Sequence, residues 1–223
     1  MPSLKKTLHF LASAWCCAGG VALLGYGMAV NWSSIAVDCK SSNGTGLGAV
    51  TMGLFEAIVV LETCPFFDSE NDIKVMQKME GVSLVLQYIV VAFLVLALIG
   101  SAGSILITLY NSISNPYETY MGPVGLYTCG GCSVVLSFLA IIIYVSNVHL
   151  GEFAVAWIRM FATPGELSNT KVTMELGYFL VLPYIAVNLL AILLVYLYVH
   201  AAYTRQKEQQ KPTEDAPKEI MMY

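Results

Sequence analysis

The stretch GVSLVLQYIVVAFLVLALIGSAGSILITLY, residues 81–110, contains no Asp, Glu, Lys or Arg, and the charge-free run continues to Tyr117. A bilayer core of roughly 30 Å is crossed by about 20 apolar residues in helical form, and this stretch exceeds that length. Leu, Ile, Val or Phe near mid-helix favours insertion by about 0.3–0.6 kcal/mol, whereas an ionised side chain opposes it by about 2.5–3.5 kcal/mol. The missing charges therefore decide as much as the apolar residues present. Thr7–Val37, Thr119–Gly151 and Leu176–Thr204 are charge-free in the same way. The chain reads as an α-helical membrane protein that crosses the bilayer four times.

Composition agrees, with 57% hydrophobic and 12% charged residues against about a quarter charged in soluble domains. The runs do not alternate as barrel strands do, so the spans are helices that satisfy their own backbone groups. We place the four spans at 8–30, 84–110, 123–148 and 176–203. The N-terminal 1–7, a loop at 111–122 and the tail 204–223 then lie on one side, and loops 31–83 and 149–175 on the other. Lys5 and Lys6 precede the first run and no small-residue cleavage site follows it, so it reads as an uncleaved signal anchor.

Orientation follows from charge. Lys5, Lys6, Arg205, Lys207 and Lys211 flank the outer spans, whereas loop 31–83 carries three lysines against seven acids. Lys/Arg excess marks the cytoplasmic side, which puts both termini in the cytosol and the first and third loops outside; the plasma membrane is the membrane expected. Both Asn-X-Ser/Thr sequons, Asn31-Trp32-Ser33 and Asn43-Gly44-Thr45, fall in the first loop. Asn43 is the better N-glycosylation acceptor, because Asn31 sits at the membrane edge.

That loop is long enough to fold. Residues 49–61, rich in Val and aromatic residues, read as one or two strands, and Ser69 with Glu70 and Asp72 reads as the capped start of a short helix running into the second span. Cys39 and Cys64 are the loop's cysteine pair, and a disulfide between them would stabilise it by about 3.5 kcal/mol in the chain-entropy model. In loop 149–175, Trp157 reads as an interfacial anchor.

Chemistry inside the bilayer is sparse. Cys129-Gly-Gly-Cys132 has the spacing of a redox dithiol, which would make the protein a membrane thiol oxidoreductase. Cys129 and Cys132 fall in the cytosolic half of the third span, however, across the bilayer from Cys39 and Cys64, with no carrier between. The alternatives are S-acylation or close helix packing through small residues, as also expected of Cys16-Cys17 with Gly19, Gly20, Gly25 and Gly27, and of Gly100 with Ser104. Asn188 is the most notable intramembrane polar residue, expected to bond another helix. An ion or substrate path normally carries intramembrane charges, and these spans have none. His9, His149 and His200 sit at separate helix ends, so neither a metal set nor a cofactor is expected. The net charge of −4 gives no footing for nucleic acid. The tail ends Glu219-Ile-Met-Met-Tyr223, and Met221 with Tyr223 fits a C-terminal PDZ ligand.

Several of these features share an order. Trp32 follows the first span, Gly53-Leu54-Phe55 lies mid-loop between Cys39 and Cys64, and Tyr110-Asn-Ser-Ile-Ser-Asn-Pro-Tyr-Glu-Thr-Tyr-Met-Gly-Pro-Val-Gly-Leu-Tyr127 joins the second and third spans. In these the sequence resembles the clarin family, four-pass proteins distantly similar to claudins and peripheral myelin protein. The resemblance implies a four-helix bundle with a small extracellular β-sheet in the first loop. It implies a non-enzymatic role too, since clarins are associated with sensory hair cells and with organising membrane complexes and actin-rich protrusions. Phe55 stands where claudins have Trp, and the cysteine spacing differs, so a claudin barrier role does not carry over.

The reading that results is a scaffold or accessory subunit of a membrane complex. Its partners would be the lipid bilayer, other membrane proteins held through helix faces and the first loop, a second copy, and a cytosolic PDZ or cytoskeletal adaptor. A claudin-like or tetraspanin-like organiser is the alternative.

Overall fold

A computed structural model describes residues 4–41, 44–61, 73–79, 81–113, 122–150 and 166–209. Four long helices carry the fold: α1 (Leu4–Ala29), α3 (Gly81–Ile113), α4 (Gly122–Leu150) and α5 (Leu176–Gln209). All four are long and apolar enough to cross a membrane. On α1 the buried positions Phe10, Ser13, Cys17, Gly20, Leu24 and Gly27 recur every three to four residues, the period of one helical face. α1 packs on α3 and α5, and α4 closes the ring by packing on the same two helices.

The segment between α1 and α3 supplies four strands, β1 (Ser33–Ser41), β2 (Gly44–Met52), β3 (Glu56–Leu61) and β4 (Ile73–Lys74), followed by the one-turn helix α2 (Val75–Lys78). A fifth strand, β5 (Glu166–Met174), comes from the loop before α5, and the antiparallel sheet runs β4-β3-β2-β1-β5. Alternation orients the sheet: Ser33, Ile35, Val50, Met52 and Ala57 are buried, while Ala36, Ile58, Lys171 and Thr173 are exposed. The register slips by one residue between Ala36 and Asp38 where β1 meets β5, the local irregularity of a β-bulge.

Two features differ from the sequence reading. Residues 49–61 form parts of two strands, but β1 and β5 extend the sheet on the far side, and no strand is expected at 166–174 from the sequence. The lead into the second span is not a continuous helix either. β4 precedes α2, Met79 is extended, and Gly81 with φ +67° restarts the chain as α3. That left-handed conformation suits glycine and separates the two helices.

Among the described residues two apolar clusters fill the interior. The larger, around Trp32, Leu54, Val90, Leu94, Tyr144 and Tyr184, joins sheet to bundle; the smaller, Phe10, Leu126 and Val195, lies at the opposite end of the helices. Asn43, Cys64, Ser69, Trp157, Met221 and Tyr223 lie outside the described residues, as does the side chain of Cys39, whose backbone pairs with Gly46 and Leu167.

Candidate functional site

Trp32 is the joint between sheet and helices. It follows α1 by three residues and is fully buried. Its Nε1–H donates to the Gly27 carbonyl at 2.7 Å, while its backbone bonds both Met52 and Glu175. Tyr144 of α4 meets the indole edge-on, centroids 5.0 Å apart, and its hydroxyl shares a 2.9 Å hydrogen bond with Ser33. A buried indole keeps its apolar body in the core only when its N–H finds an acceptor, and the last turn of α1 supplies one. Beside it, the Gly177 N–H bonds the Asn31 carbonyl at 2.8 Å, which ties the start of α5 to the end of α1. The β2–β3 turn docks separately: Gln87 Nε2 of α3 donates to the Leu54 carbonyl at 3.0 Å. The sheet is therefore pinned to all four long helices.

Deeper in the bundle a polar network links the same helices. Tyr184 of α5 donates to the Ala97 carbonyl of α3 at 3.1 Å and lies 2.7 Å from Ser101 Oγ. Ser101 donates in turn to Asn188 Oδ1 at 3.2 Å. From α4, Ser133 donates to the same Ala97 carbonyl at 3.0 Å, so three helices converge on one oxygen. Ser13 of α1 reaches the Ala191 carbonyl of α5 at 3.0 Å. Lipid offers these groups no water, so the network bonds across helices, with Asn188 Nδ2 turning back to the Tyr184 carbonyl of its own helix at 3.0 Å.

No family model matches the chain. Over its full length it is 31% identical to Clarin-3 of Homo sapiens across 229 residues, with 100% of both chains covered. It is similar in the same way to Clarin-3 of Rattus norvegicus, 30% over 231 residues, and to Clarin-3 of Mus musculus, 29% over 226 residues, again with 100% of both chains covered. The chain belongs to the clarin family. That kinship and the four candidate spans make it a multi-pass membrane protein.

In this clarin the small residues singled out from sequence divide into two groups. Gly20 and Gly27 sit at helix contacts, where an added Cβ would stand 3.1 Å from Asn188 Nδ2 and 3.3 Å from Leu180 Cβ. An added Cβ at Gly100 would collide with Ser133, and one at Gly130 would stand 3.1 Å from Ile192. Gly19, Gly25 and Gly131 have nothing within 4 Å. The expectation of close packing fails for those three, because they fall on the helix faces turned away from the bundle.

The Cys129–Cys132 segment splits along the same line. Cys129 is half-buried, Cys132 is exposed, and both are free thiols, as are Cys16 and Cys17. Ser104, on the inward face of α3, donates to the Gly100 carbonyl at 3.0 Å. Asn188 faces the interior as its polarity suggests. Asn31 is exposed at the end of α1. Among the described residues no group of His, Cys, Asp or Glu could hold a metal ion.

Sequence reasoning missed Gln87, Tyr144, Tyr184 and Gly177. Gln87 carried a signal, as the one amide in the stretch 81–110. Tyr184, one turn before Asn188, could have been paired with it by the i, i+4 rule. Gly177 carried none, since its role exists only against Trp32.

Proposed function

We propose that this clarin-family protein is a non-enzymatic scaffold or accessory subunit of a plasma-membrane complex. The observation that supports this most directly is the joint at Trp32. Through it the sheet is fixed to the bundle as one body, and the outward sheet face becomes a surface of set orientation for other membrane proteins. Rigid presentation of a surface lowers the ordering cost of association.

Both termini belong to the cytosol in this reading. The contact between Phe10 and Tyr198, centroids 5.9 Å apart, puts Lys5 and Arg205 at the same end of the bundle, and their positive charge favours the cytoplasmic side. The sheet then faces the exterior. There a Cys39–Cys64 disulfide and a glycan on Asn43, or less favourably Asn31, are compatible with the compartment. Cys132, exposed on α4, is a better S-acylation candidate than half-buried Cys129. The tail's Met221 and Tyr223 offer a PDZ or cytoskeletal adaptor its ligand.

Purification of the full chain from native membranes in mild detergent tests the reading. Stoichiometric co-purifying membrane proteins are expected, bound through the sheet or helix faces. A lone monomer under several mild detergents, with the sheet intact by protease mapping, counts against a scaffold role.

A further inference from the structure

A groove runs between α1 and α3 on the outer side of the bundle, where Leu11, Trp15 and Leu109 are exposed. Among the described residues it is lined by Leu11, Ala14, Trp15 and Ala18 of α1 and by Ile105 and Leu109 of α3, with a volume of about 230 Å³. Positions three and four apart share a helical face, so the lining is two facing stripes. Ala14, 4% exposed, is the floor, and Trp15, 72% exposed, stands out as a wall. The lining side chains are all apolar and uncharged.

Both stripes end on polar groups. Thr7 lies four residues before Leu11 and Ser112 three after Leu109, on the same helical faces. The Thr7 hydroxyl points at the Ser112 carbonyl from 3.5 Å, beyond the roughly 2.5–3.0 Å of a good O–H···O bond. That carbonyl lies in the last turn of α3, which ends at Ile113. Its helical donor would be the N–H of residue 116, and Pro116 has none. Thr7 also opens the charge-free run of α1, directly after Lys5 and Lys6, which sets this polar rung at the bilayer boundary. From Thr7 to Ala18 the helix rises about 16 Å, close to half of the roughly 30 Å hydrocarbon core. The slot is therefore one leaflet deep and apolar along its length, with a hydroxyl and a poorly bonded carbonyl at its mouth.

We propose that this groove binds a membrane sterol, its ring system against Ala14 and Ala18 and its hydroxyl at the rung between Thr7 and the Ser112 carbonyl. A carbonyl takes only a donor, which a sterol hydroxyl supplies and the phosphodiester of phosphatidylcholine lacks. A rigid ring system also loses little conformational freedom on binding, whereas a flexible acyl chain loses rotamers at each bond it freezes. The volume exceeds the roughly 150 Å³ that takes up benzene but falls short of the roughly 300–1,000 Å³ that encloses a whole ligand. One face of the sterol therefore stays in lipid. The inference rests on the four spans, and on neither the scaffold role nor the orientation, so it can fail while the scaffold reading stands.

A diazirine-bearing cholesterol analogue tests it. The full chain is irradiated with the analogue in phosphatidylcholine nanodiscs, and adducts are located by peptide mass mapping. Adducts are expected within 11–18 and 105–109. Excess cholesterol should displace them, and epicholesterol, whose hydroxyl is inverted, should do so about three- to tenfold less well, the loss of one hydrogen bond. Thr7→Val keeps the bulk of the side chain and should lower labelling by a similar factor. Ala18→Phe fills the groove and should abolish labelling there while adducts elsewhere persist. The epimer comparison uses the unsubstituted chain, so it decides the matter even if Ala18→Phe fails to fold. Equal displacement by the two epimers, or displacement by diacylglycerol as strong as by cholesterol, overturns the proposal. So does an absence of adducts in both segments, the result expected if a second copy or a partner helix fills the groove.

Discussion

Trp32 and Gly177 fit so closely that a Cβ on the glycine would stand 2.5 Å from the indole Cδ1 and 2.7 Å from its Nε1. The residue opening the sheet and the second residue of α5 thus define each other's position, and the indole's bond to Gly27 fixes which way the ring lies.

Gly177→Ala separates packing from propensity. Alanine in a helix is favoured over glycine by about 1 kcal/mol, whereas forcing a methyl group into a filled site costs about 1–3 kcal/mol. Net destabilisation is expected, read as a lower midpoint in thermal unfolding in detergent micelles. A rise in the midpoint would show that the indole moves aside freely. Trp32→Phe, which keeps a ring but removes the Nε1 donor, leaves the buried Gly27 carbonyl without that bond and should cost about 1–3 kcal/mol.

Asn188→Leu and Ser101→Ala remove the two ends of one hydrogen bond. Each should destabilise by about 0.6 kcal/mol, the average for such bonds in bilayers. The double variant should lose less than the sum, since the second change finds the bond already gone. Strict additivity in an unfolding titration would mean the 3.2 Å contact carries no energy.

Gly130→Leu and Gly131→Leu are adjacent and chemically identical changes with opposite expectations. The first meets Ile192 at 3.1 Å and the second meets nothing. Gly130→Leu should lower stability by about 1–3 kcal/mol through overpacking, while Gly131→Leu should fall within about 0.5 kcal/mol of the parent. Size-exclusion profiles and thermal midpoints of the pair decide it.

Gln87→Leu preserves bulk but deletes the donor to the Leu54 carbonyl. A buried acceptor left unpaired costs about 1–3 kcal/mol, and the loss should be local to the β2–β3 turn. Faster proteolysis near residues 53–56 with unchanged helical circular dichroism is expected; equal resistance would place the turn's anchorage elsewhere.

The helices were legible because a bilayer imposes a one-sided rule: a run of roughly 20 residues without charge is long enough to cross it. The sheet was legible only in part. Residues 49–61 show the β-branched, turn-bounded composition of strands, but β5 is the polar run ELSNTKVTM, with apolar alternation confined to Val172 and Met174. Its partner, β1, is more than a hundred residues away, and no local pattern records such a pairing. The phase of helix faces was equally hidden. Gly130 and Gly131 look alike in sequence, and only the packing of α5 distinguishes the one that is covered. Asn188 announced itself by polarity, whereas Tyr184, apolar by composition, reveals its hydroxyl's role only once Ala97 and Ser101 are beside it.

Because Ser33 opposes Met174, the sheet cannot close until the ribosome has made 141 further residues. At about 5–20 residues per second that is a wait of roughly 7–28 s. During it β1 has an open edge and Trp32 has no glycine against it. Biogenesis of this protein thus contains a built-in delay, in which a truncated or stalled chain displays a bare strand and an uncovered indole to the quality-control machinery of the membrane where it is made.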